Sequence, residues 1–301
     1  MNQMTEQKRV LTPRARELLD APIDERIALI RRPRFITYGH AKKILDELEQ
    51  LLTLPKYNRP PNLLIIGKSN NGKSEILKEF KRLHPAQERP DGDVTYAPVL
   101  FLQAPPGPDE KQLIDSALRK FNITPLKSHT TPRKLELFIE QLQASQTRVL
   151  IIDELHSILA GSTSRQLHVL NTLKYISNET GVSMVLAGTE GARDALATDK
   201  ELQSRFPERP LPRWKNNDVE YLKLLAQFEM TLPLKEASGL RDRALAELIF
   251  DFSEGFLGGI AEAVRESAIC ALQAGDESIT VAHLEQLNAR RKKRQDDALV
   301  L

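Results

Sequence analysis

The decisive stretch of this chain reads Gly67-Lys68-Ser69-Asn70-Asn71-Gly72-Lys73-Ser74. It has a glycine, four variable positions and then Gly-Lys-Ser, and its glycines let the backbone turn several N–H groups toward one point. An apolar run over residues 62–66 precedes the loop, and a helical pattern over 75–83 follows it. Because the start of a helix carries the positive end of the helix dipole, this order predicts a phosphate-binding loop.

The loop offers groups to both a nucleoside triphosphate and a metal ion. We expect Lys73 to place its ammonium group at the β and γ phosphates and Ser74 to give its hydroxyl to Mg²⁺. The other predicted nucleotide contacts in and just after the loop are Gly67, Ser69, Asn70, Asn71, Gly72 and Glu75. ATP and Mg²⁺ are therefore the predicted cofactors.

A second element carries two adjacent acids. The apolar run over 149–152 ends in Asp153 and Glu154. A buried strand that ends in carboxylates presents them at the edge where open α/β sheets bind ligands. We expect Asp153 to hold Mg²⁺, mostly through water, and Glu154 to be the general base that orients and polarises the attacking water. The acid pair favours hydrolysis over transfer to a small molecule.

Two more residues are candidates for contact with the γ-phosphate. Thr189 follows the apolar run over 182–187 and would contact the γ-phosphate or the attacking water, although a plain turn residue is the alternative. Arg205 follows a helix and would reach the γ-phosphate of a neighbouring subunit to stabilise charge in the transition state. A surface arginine is its alternative, and Arg209 and Arg213 are nearby rivals.

Candidates for the rest of the nucleotide lie at both ends of the chain. Arg34, Phe35 and Ile36 precede the first long helix and would pack on adenine, or else join the core. Gly258 opens a helix that carries Arg265. That arginine would act as a second sensor of the nucleotide, or else be solvated.

Composition and charge limit the possible partners. The 301 residues carry a net charge of only +2, so a nucleic acid would have to be recognised by a local patch. The single cysteine, Cys270, allows no disulfide within the chain and fits a reducing cytoplasm. No apolar run approaches the roughly 18 residues of a membrane span, and the first 14 residues lack the apolar stretch of a signal peptide. The sequence predicts a soluble, cytoplasmic protein without a membrane partner.

Strands alternate with helices up to Trp214, and only helices follow. Alternation of this kind predicts a parallel sheet covered on both faces. The predicted strands are 62–66, 98–102, 149–152, 182–187 and a short fifth strand within 210–214. The predicted domains are an N-terminal extension over 1–30 that is available to a partner, an α/β ATPase domain over 31–215, a helical domain over 216–290 and a basic tail over 291–301.

This order of elements resembles that of AAA+ ATPases, and among them the TniB and TnsC transposition regulators. The resemblance covers about residues 30–290. It is carried by Arg59-Pro60-Pro61 leading into the Ser69-Asn70-Asn71-Gly72-Lys73-Ser74 core, by 150–154, by Leu186-Ala187-Gly188-Thr189 and by Ser253-Glu254-Gly255-Phe256-Leu257-Gly258. It implies a P-loop domain with a central parallel five-stranded sheet in the order 5-1-4-3-2, followed by an all-helical lid. One departure is that Arg265 comes a turn later than the lid arginine of many AAA+ proteins.

The resemblance also implies a function. Such proteins form homo-oligomers, as a ring or a helical filament, on double-stranded DNA when ATP is bound, and they do not read the base sequence. They recruit the transposase together with a TniQ-type adaptor, and ATP hydrolysis disassembles the oligomer. The loop at 124–134 lies where the family contacts DNA, so Lys127, Thr130, Thr131 and Arg133 are predicted phosphate contacts, with a solvated loop as the alternative. The basic run at 290–294 would add nonspecific affinity, or be a solvated helix end.

Two other functions remain open from the sequence. A loader or remodelling ATPase, for example one that resembles a helicase loader, would be stimulated by a protein rather than by DNA. A nucleotide-switched scaffold would not need hydrolysis, so the Glu154→Gln variant would keep all of its activities.

Overall fold

The computed structural model describes residues 10–55, 59–89, 95–158, 161–197 and 199–299, without the side chains of 292–299. The chain divides into two compact units. One unit is His40–Pro212, and the other combines the residues up to 39 with those from 213 onward. The first nine residues of the predicted extension, and the tail side chains beyond Arg291, lie outside the described part of the chain. The predicted domain boundaries stay predictions.

A five-stranded parallel sheet forms the centre of the unit His40–Pro212. Its strands are β1 (Leu63–Ile66), β2 (Val99–Gln103), β3 (Val149–Asp153), β4 (Ser183–Gly188) and β5 (Glu208–Pro210). They lie in the order β2-β3-β4-β1-β5, which read from the other edge is the predicted 5-1-4-3-2, so the predicted sheet is confirmed. All residues of β1, β3 and β4 are buried, because parallel sheets are covered on both faces.

The helices are numbered along the chain. They are α1 (Pro13–Glu17), α2 (Ile23–Arg31), α3 (Gly39–Thr53), α4 (Lys73–Leu83), α5 (Glu110–Lys120), α6 (Thr131–Ala144), α7 (Thr163–Thr180), α8 (Glu190–Ala197), α9 (Lys200–Arg205), α10 (Val219–Met230), α11 (Arg243–Ser253), α12 (Leu257–Ala274) and α13 (Val281–Leu299). The sheet unit has its core between the strands and α5, α6 and α7. Leu118, Phe138 and Leu173 from these helices belong to one buried cluster with Leu150 and Ile152 of β3.

The fifth strand is the element whose position the sequence predicted wrongly. It occupies Glu208–Pro210 rather than 210–214 and pairs with β1 alone. An edge strand is not buried on both faces, so charged residues and a proline are tolerated there and no apolar run marks it. Arg209 in this strand donates to Glu47 Oε2 of α3 at 2.6 Å.

The second unit is helical and includes the start of the chain. Helix α2 packs against α12. Arg26 of α2 is 3% exposed and donates from Nε to the Pro233 carbonyl oxygen at 2.8 Å and from Nη1 to Glu277 Oε1 at 2.9 Å. A buried guanidinium is tolerated only with such partners. Residues 23–31 are therefore part of this unit, and the predicted partner-binding role of residues 1–30 stays a prediction.

An aromatic cluster lies in the helical unit, next to residues 39 and 213, the two ends of the chain segments that form this unit. The ring centroids of Tyr38 and Trp214 are 5.2 Å apart, and those of Tyr221 and Phe250 are 5.9 Å apart. Burial raises the pKa of Tyr38 to about 12. Within the described residues, no helix is both long and apolar enough to cross a lipid bilayer.

Candidate nucleotide-binding site

The phosphate loop joins β1 to α4 at the carboxyl edge of the sheet. Asn70 and Gly72 adopt left-handed backbone angles, with φ of 62° and 89°. Gly72 directly precedes α4, and among the described residues no side chain caps this helix start. The first N–H groups of α4 are therefore available to an anion, and the helix dipole favours one there.

Lys73 lies folded over the loop. Its side chain is buried, and Nζ donates to the carbonyl oxygens of Gly67 at 2.7 Å and Lys68 at 2.9 Å. Burial lowers the pKa of Lys73, while the negative charges of Glu154 and Asp153 act in the opposite direction. The ammonium group and the two acids therefore share one electrostatic site.

The loop is clamped to the segment that follows β5. Asn71 is 3% exposed and donates from Nδ2 to the carbonyl oxygens of Leu211 at 2.8 Å and Pro212 at 3.0 Å. A Cβ atom on Gly67 would lie only 3.1 Å from the Leu211 carbonyl oxygen. Because its side chain is engaged in this way, Asn71 would contact a nucleotide through its backbone.

The two acids stand at the end of β3. Asp153 is 3% exposed, and its Oδ1 accepts a hydrogen bond of 2.9 Å from the backbone N–H of Glu154. Glu154 has a left-handed φ of 58°. Its Oε2 lies 3.1 Å from Nε2 of His156, and both side chains are partly exposed.

Three adjacent strands bring the predicted groups to one edge. Gly67 follows β1, Asp153 ends β3, and Thr189 follows β4, which lies between the other two. The backbone N–H of Gly67 donates to the Gly188 carbonyl oxygen at 3.2 Å. The carboxyl ends of parallel strands form the ligand-binding edge of such sheets.

The remaining loop residues differ in exposure. Ser74 is partly buried in the first turn of α4, and Ser69 is exposed. Glu75 is exposed and accepts a hydrogen bond of 2.9 Å from Lys78 Nζ. Thr189 is partly exposed, and its carbonyl oxygen accepts from the N–H of Ala192 at the start of α8.

Arg205 is held within its own subunit. Its side chain is 10% exposed, and it donates from Nη1 to Asn178 Oδ1 and from Nη2 to Glu201 Oε1, each at 2.8 Å. Contact with a neighbouring subunit's nucleotide would require both bonds to be released. The rivals are also engaged, since Arg209 binds Glu47 and the guanidinium of Arg213 lies over a phenylalanine ring.

The predicted adenine and sensor residues belong to the helical unit. Arg34 donates to the carbonyl oxygens of Thr231 at 2.8 Å and Leu29 at 2.7 Å. Burial lowers the pKa of Arg34, and the neighbouring charge of Arg32 lowers it further. Phe35, Ile36 and Gly258 are each partly exposed. Arg265 Nε lies 3.5 Å from Glu266 Oε1. The predicted nucleotide contacts of these residues stay predictions.

The predicted DNA loop leads into α6. Thr130 caps that helix, because its Oγ1 accepts a hydrogen bond of 3.4 Å from the N–H of Arg133. Arg133 is exposed and lies 3.0 Å from Glu136 Oε2. Thr131 begins the helix, and Lys127 is exposed in the loop before it. Of the four candidates, Lys127 therefore keeps the most freedom to meet a phosphate group.

Sequence reasoning missed His156 and the clamp of Asn71. Spacing offers a weak signal for the histidine, which stands two residues after Glu154. It offers none for the clamp, which joins residues 140 positions apart. Such long-range contacts depend on the sheet order.

The donor set fits magnesium held jointly with a nucleotide. Among the described residues, no group of three or more His, Cys, Asp or Glu side chains is arranged to hold a metal ion. Mg²⁺ keeps several waters and commonly uses one or two protein oxygens together with phosphate oxygens. Ser74 and Asp153 are the residues that would supply those protein oxygens.

Comparison with known proteins gives a family and a fold. The family model described as "Bacterial TniB protein" matches residues 26–216. Comparison with curated protein sequences gave no match.

Similar solved structures include two ORC proteins and a Walker-type ATPase. ORC2 of Aeropyrum pernix, in ADPNP–ADP complexes, has a TM-score of 0.61 at 15% identity, over 86% of this chain and 70% of that one. ORC1 of the same organism, in complex with DNA, has a TM-score of 0.54 at 13% identity, over 88% and 69%. A Walker-type ATPase of Pyrococcus abyssi has a TM-score of 0.55 at 16% identity, over 90% and 78%. At these identities the likeness shows the fold.

Proposed function

The chain belongs to the TniB family, and from that premise we propose that this AAA+ ATPase is an ATP-dependent regulator of DNA transposition. In the ATP-bound state it assembles into a homo-oligomer, a ring or a helical filament, on double-stranded DNA. The oligomer recruits a transposase together with a TniQ-type adaptor, and hydrolysis of ATP disassembles it. The protein acts in the cytoplasm.

The observation that carries this proposal is the family match, because the matched residues include the carboxyl edge of the sheet. Residues 26–216 include the phosphate loop, the acids that end β3 and the threonine after β4. A nucleotide-binding protein with an acid pair at this edge has the parts for a hydrolysis-driven cycle. Membership of the TniB family is the reason for assigning that cycle to DNA transposition.

Each group at the site has a proposed task. The N–H groups of the loop and Lys73 hold the phosphates, and Ser74 and Asp153 hold Mg²⁺. Glu154 accepts the proton of the attacking water. Mg²⁺ held by Ser74 and Asp153 would supply positive charge beside the phosphates. Thr189 orients the terminal phosphate, and Arg205 of a neighbouring subunit stabilises charge there after leaving its present partners.

The proposed contacts with DNA are electrostatic and do not read the base sequence. Lys127 is exposed in the loop before α6 and Arg133 in the first turn of that helix, where their cations meet backbone phosphates. Among the similar structures, Aeropyrum pernix ORC1 is a complex with DNA, which supports this part of the proposal by analogy of fold.

The test combines nucleotide and DNA. Purified protein is imaged by electron microscopy with a nonhydrolysable ATP analogue, with and without duplex DNA, beside the Lys73→Ala variant. We expect rings or filaments that require both the nucleotide and DNA, and none with the variant. In a parallel assay with ATP, Glu154→Gln should trap the oligomer that wild type disassembles.

Other outcomes would favour another function. If DNA changes neither assembly nor hydrolysis, the transposition role is wrong, and a loader or remodelling ATPase that acts on a protein partner takes its place. If Glu154→Gln leaves every activity unchanged, hydrolysis is dispensable and the protein is a nucleotide-switched scaffold.

A further inference from the structure

His156 stands beside the proposed general base. Its Nε2 lies 3.1 Å from Oε2 of Glu154, within hydrogen-bonding reach, and each side chain is 35% exposed. The pair is therefore at the surface of the site and not part of the core. Neither the predicted contacts with nucleotide nor those with magnesium give the histidine a task.

The backbone of Glu154 is fixed in an unusual conformation. Its φ of 58° is left-handed, which costs free energy for a residue with a side chain and persists only where neighbours enforce it. Asp153 contributes to holding it, because Oδ1 accepts the N–H of Glu154 at 2.9 Å. The direction in which the Glu154 side chain leaves the backbone is thus set, and its remaining freedom lies in its own rotamers.

His156 limits that remaining freedom. It lies on the 3₁₀ turn Leu155–Ser157, and Leu155 in this turn is fully buried. The turn packs closely on the end of β4, since a Cβ atom on Gly188 would lie 3.6 Å from the backbone nitrogen of His156. The imidazole is thus carried by a turn that follows Asp153 and contacts the end of β4 beside Thr189.

The surroundings of Nδ1 indicate which nitrogen of the neutral imidazole carries the proton. Nδ1 of His156 is buried and has no hydrogen-bond partner among the described residues. An N–H left unpaired in a buried position is costly, whereas an unpaired lone pair is tolerated more often. The tautomer with its proton on Nε2 therefore fits the site, and Oε2 of Glu154 lies 3.1 Å from that nitrogen.

We propose that His156 is a positioning residue for Glu154. Its Nε2–H holds Oε2, so that Oε1 is the oxygen presented to the attacking water. This inference rests on the proposed role of Glu154 in hydrolysis. It predicts that loss of the donor slows turnover without weakening nucleotide binding, because the histidine is not one of the groups proposed to hold the phosphates or Mg²⁺.

The test is a pair of substitutions that both remove the imidazole ring, of which only one keeps a hydrogen-bond donor. In His156→Gln the amide nitrogen replaces Nε2 as a donor, and in His156→Leu the donor is lost. We expect His156→Leu to lower kcat for ATP by about tenfold, as for other outer partners of site residues, with KM changed less than twofold. His156→Gln should recover most of kcat.

A second histidine–glutamate pair supplies the matched control. Nε2 of His168 on α7 lies 2.8 Å from Oε2 of Glu110 on α5, and the imidazole is exposed. His168→Leu removes a comparable pair away from the site and should leave kcat and KM unchanged. Equal losses in His156→Leu and His168→Leu would overturn the inference.

A double variant separates this inference from the role of Glu154. If His156 acts through Glu154, adding His156→Leu to Glu154→Gln changes kcat no further. Wild-type kcat in His156→Leu overturns the positioning role while leaving Glu154 as the base. Wild-type kcat in Glu154→Gln overturns the proposed base and the inference with it. Equal loss of kcat and of thermal midpoint in both His156 variants means a structural role, which also overturns it.

Discussion

The side-chain amide nitrogen of Asn71 lies 2.8 Å from the carbonyl oxygen of Leu211, which ties the phosphate loop to the segment after the edge strand. The N–H of Leu211 donates in turn to the carbonyl oxygen of Ile66 at 2.7 Å, at the end of β1. The loop is therefore held at both of its sides by contacts within the protein. A loop that is ordered in advance loses less conformational entropy on binding.

The first prediction concerns this clamp. Asn71→Ala should lower the free energy of unfolding by about 1–3 kcal/mol, since the buried carbonyl oxygen of Leu211 and the partly buried one of Pro212 lose their donor. It should also raise the Kd for a fluorescent ADP analogue, because the loop must then be ordered on binding. Asn71→Asp should be worse, because its carboxylate would face both carbonyl oxygens without a proton to donate.

Denaturant titration and nucleotide titration check this prediction. Lys43→Ala, which removes an exposed side chain of α3, is the control and should change neither quantity. A nucleotide Kd of the wild-type value in Asn71→Asp would show that the clamp does not prepare the loop.

Long apolar strands and the glycine loop could be predicted from the sequence because each is marked locally. The continuous apolar residues of β1, β3 and β4 are required by burial on both faces, and the acids and glycines at their ends stand out against them. The edge strand could not be placed, because Glu208 and Arg209 carry no apolar signal. Its position follows only from pairing with β1.

Side-chain contacts at the site could not be predicted from the sequence for a related reason. Asn71 reads as one more residue of the phosphate loop, and only the fold brings Leu211 to it. Arg205 reads as an arginine free to reach another subunit, yet Asn178 and Glu201 hold it. The contacts Asn71–Leu211 and Arg205–Asn178 join residues that are distant in sequence, and residue type does not reveal them.

The second prediction tests whether Arg205 acts across a subunit interface. Arg205→Ala should lower kcat on the order of 10³-fold if the guanidinium stabilises transition-state charge in trans. Mixing this variant with Glu154→Gln subunits, each nearly inactive alone, should restore part of the hydrolysis. Interfaces that combine an intact base with an intact arginine form only in the mixture.

Asn178→Ala is the control for Arg205. It removes one of the two partners of Arg205 and keeps the guanidinium, so it should leave kcat near or above the wild-type value. No recovery in the mixture, together with equal destabilisation in Arg205→Ala and Asn178→Ala, would assign Arg205 a structural role only.

The third prediction concerns DNA affinity at the loop before α6. Each phosphate contact contributes about 0.9 to the slope of log K against log salt concentration. Lys127→Ala should therefore reduce that slope by about one contact per bound subunit and weaken binding equally on unrelated duplex sequences. Fluorescence anisotropy over a salt series, with the ATP analogue present, measures both.

The control for Lys127 is another exposed lysine of the same unit. Lys42 on α3 is paired with Asp46 at 3.0 Å, and Lys42→Ala should leave the slope unchanged. Arg133→Ala should have a smaller effect than Lys127→Ala, because Glu136 already neutralises part of its charge. Identical slopes for wild type and Lys127→Ala would remove this loop from the DNA interface.

The fourth prediction is a pH dependence of stability in the helical unit. The hydrogen bond from Arg26 lowers the pKa of Glu277 below its ordinary value of 4.5. A carboxyl group whose pKa is lower in the folded state binds its proton more weakly there than in the unfolded state. Its stabilisation is therefore complete above about pH 4.5 and is lost as the pH falls through the lower, folded-state pKa.

Glu277→Gln tests this dependence. The variant leaves a buried guanidinium without its carboxylate, so at pH 7 the free energy of unfolding should fall by about 2–3 kcal/mol. The difference between wild type and variant should shrink as the pH falls below about 4.5 and through the lowered folded-state pKa, because Glu277 then becomes protonated in wild type as well. Urea titrations between about pH 3 and pH 7 measure both effects.

Asp20→Asn is the control for Glu277→Gln. Asp20 and Lys235 form an ion pair of 3.1 Å in which both side chains are largely exposed, and such pairs contribute about 0–1 kcal/mol. A difference between wild type and Glu277→Gln that does not change with pH would show that the pair with Arg26 does not set the pKa of Glu277.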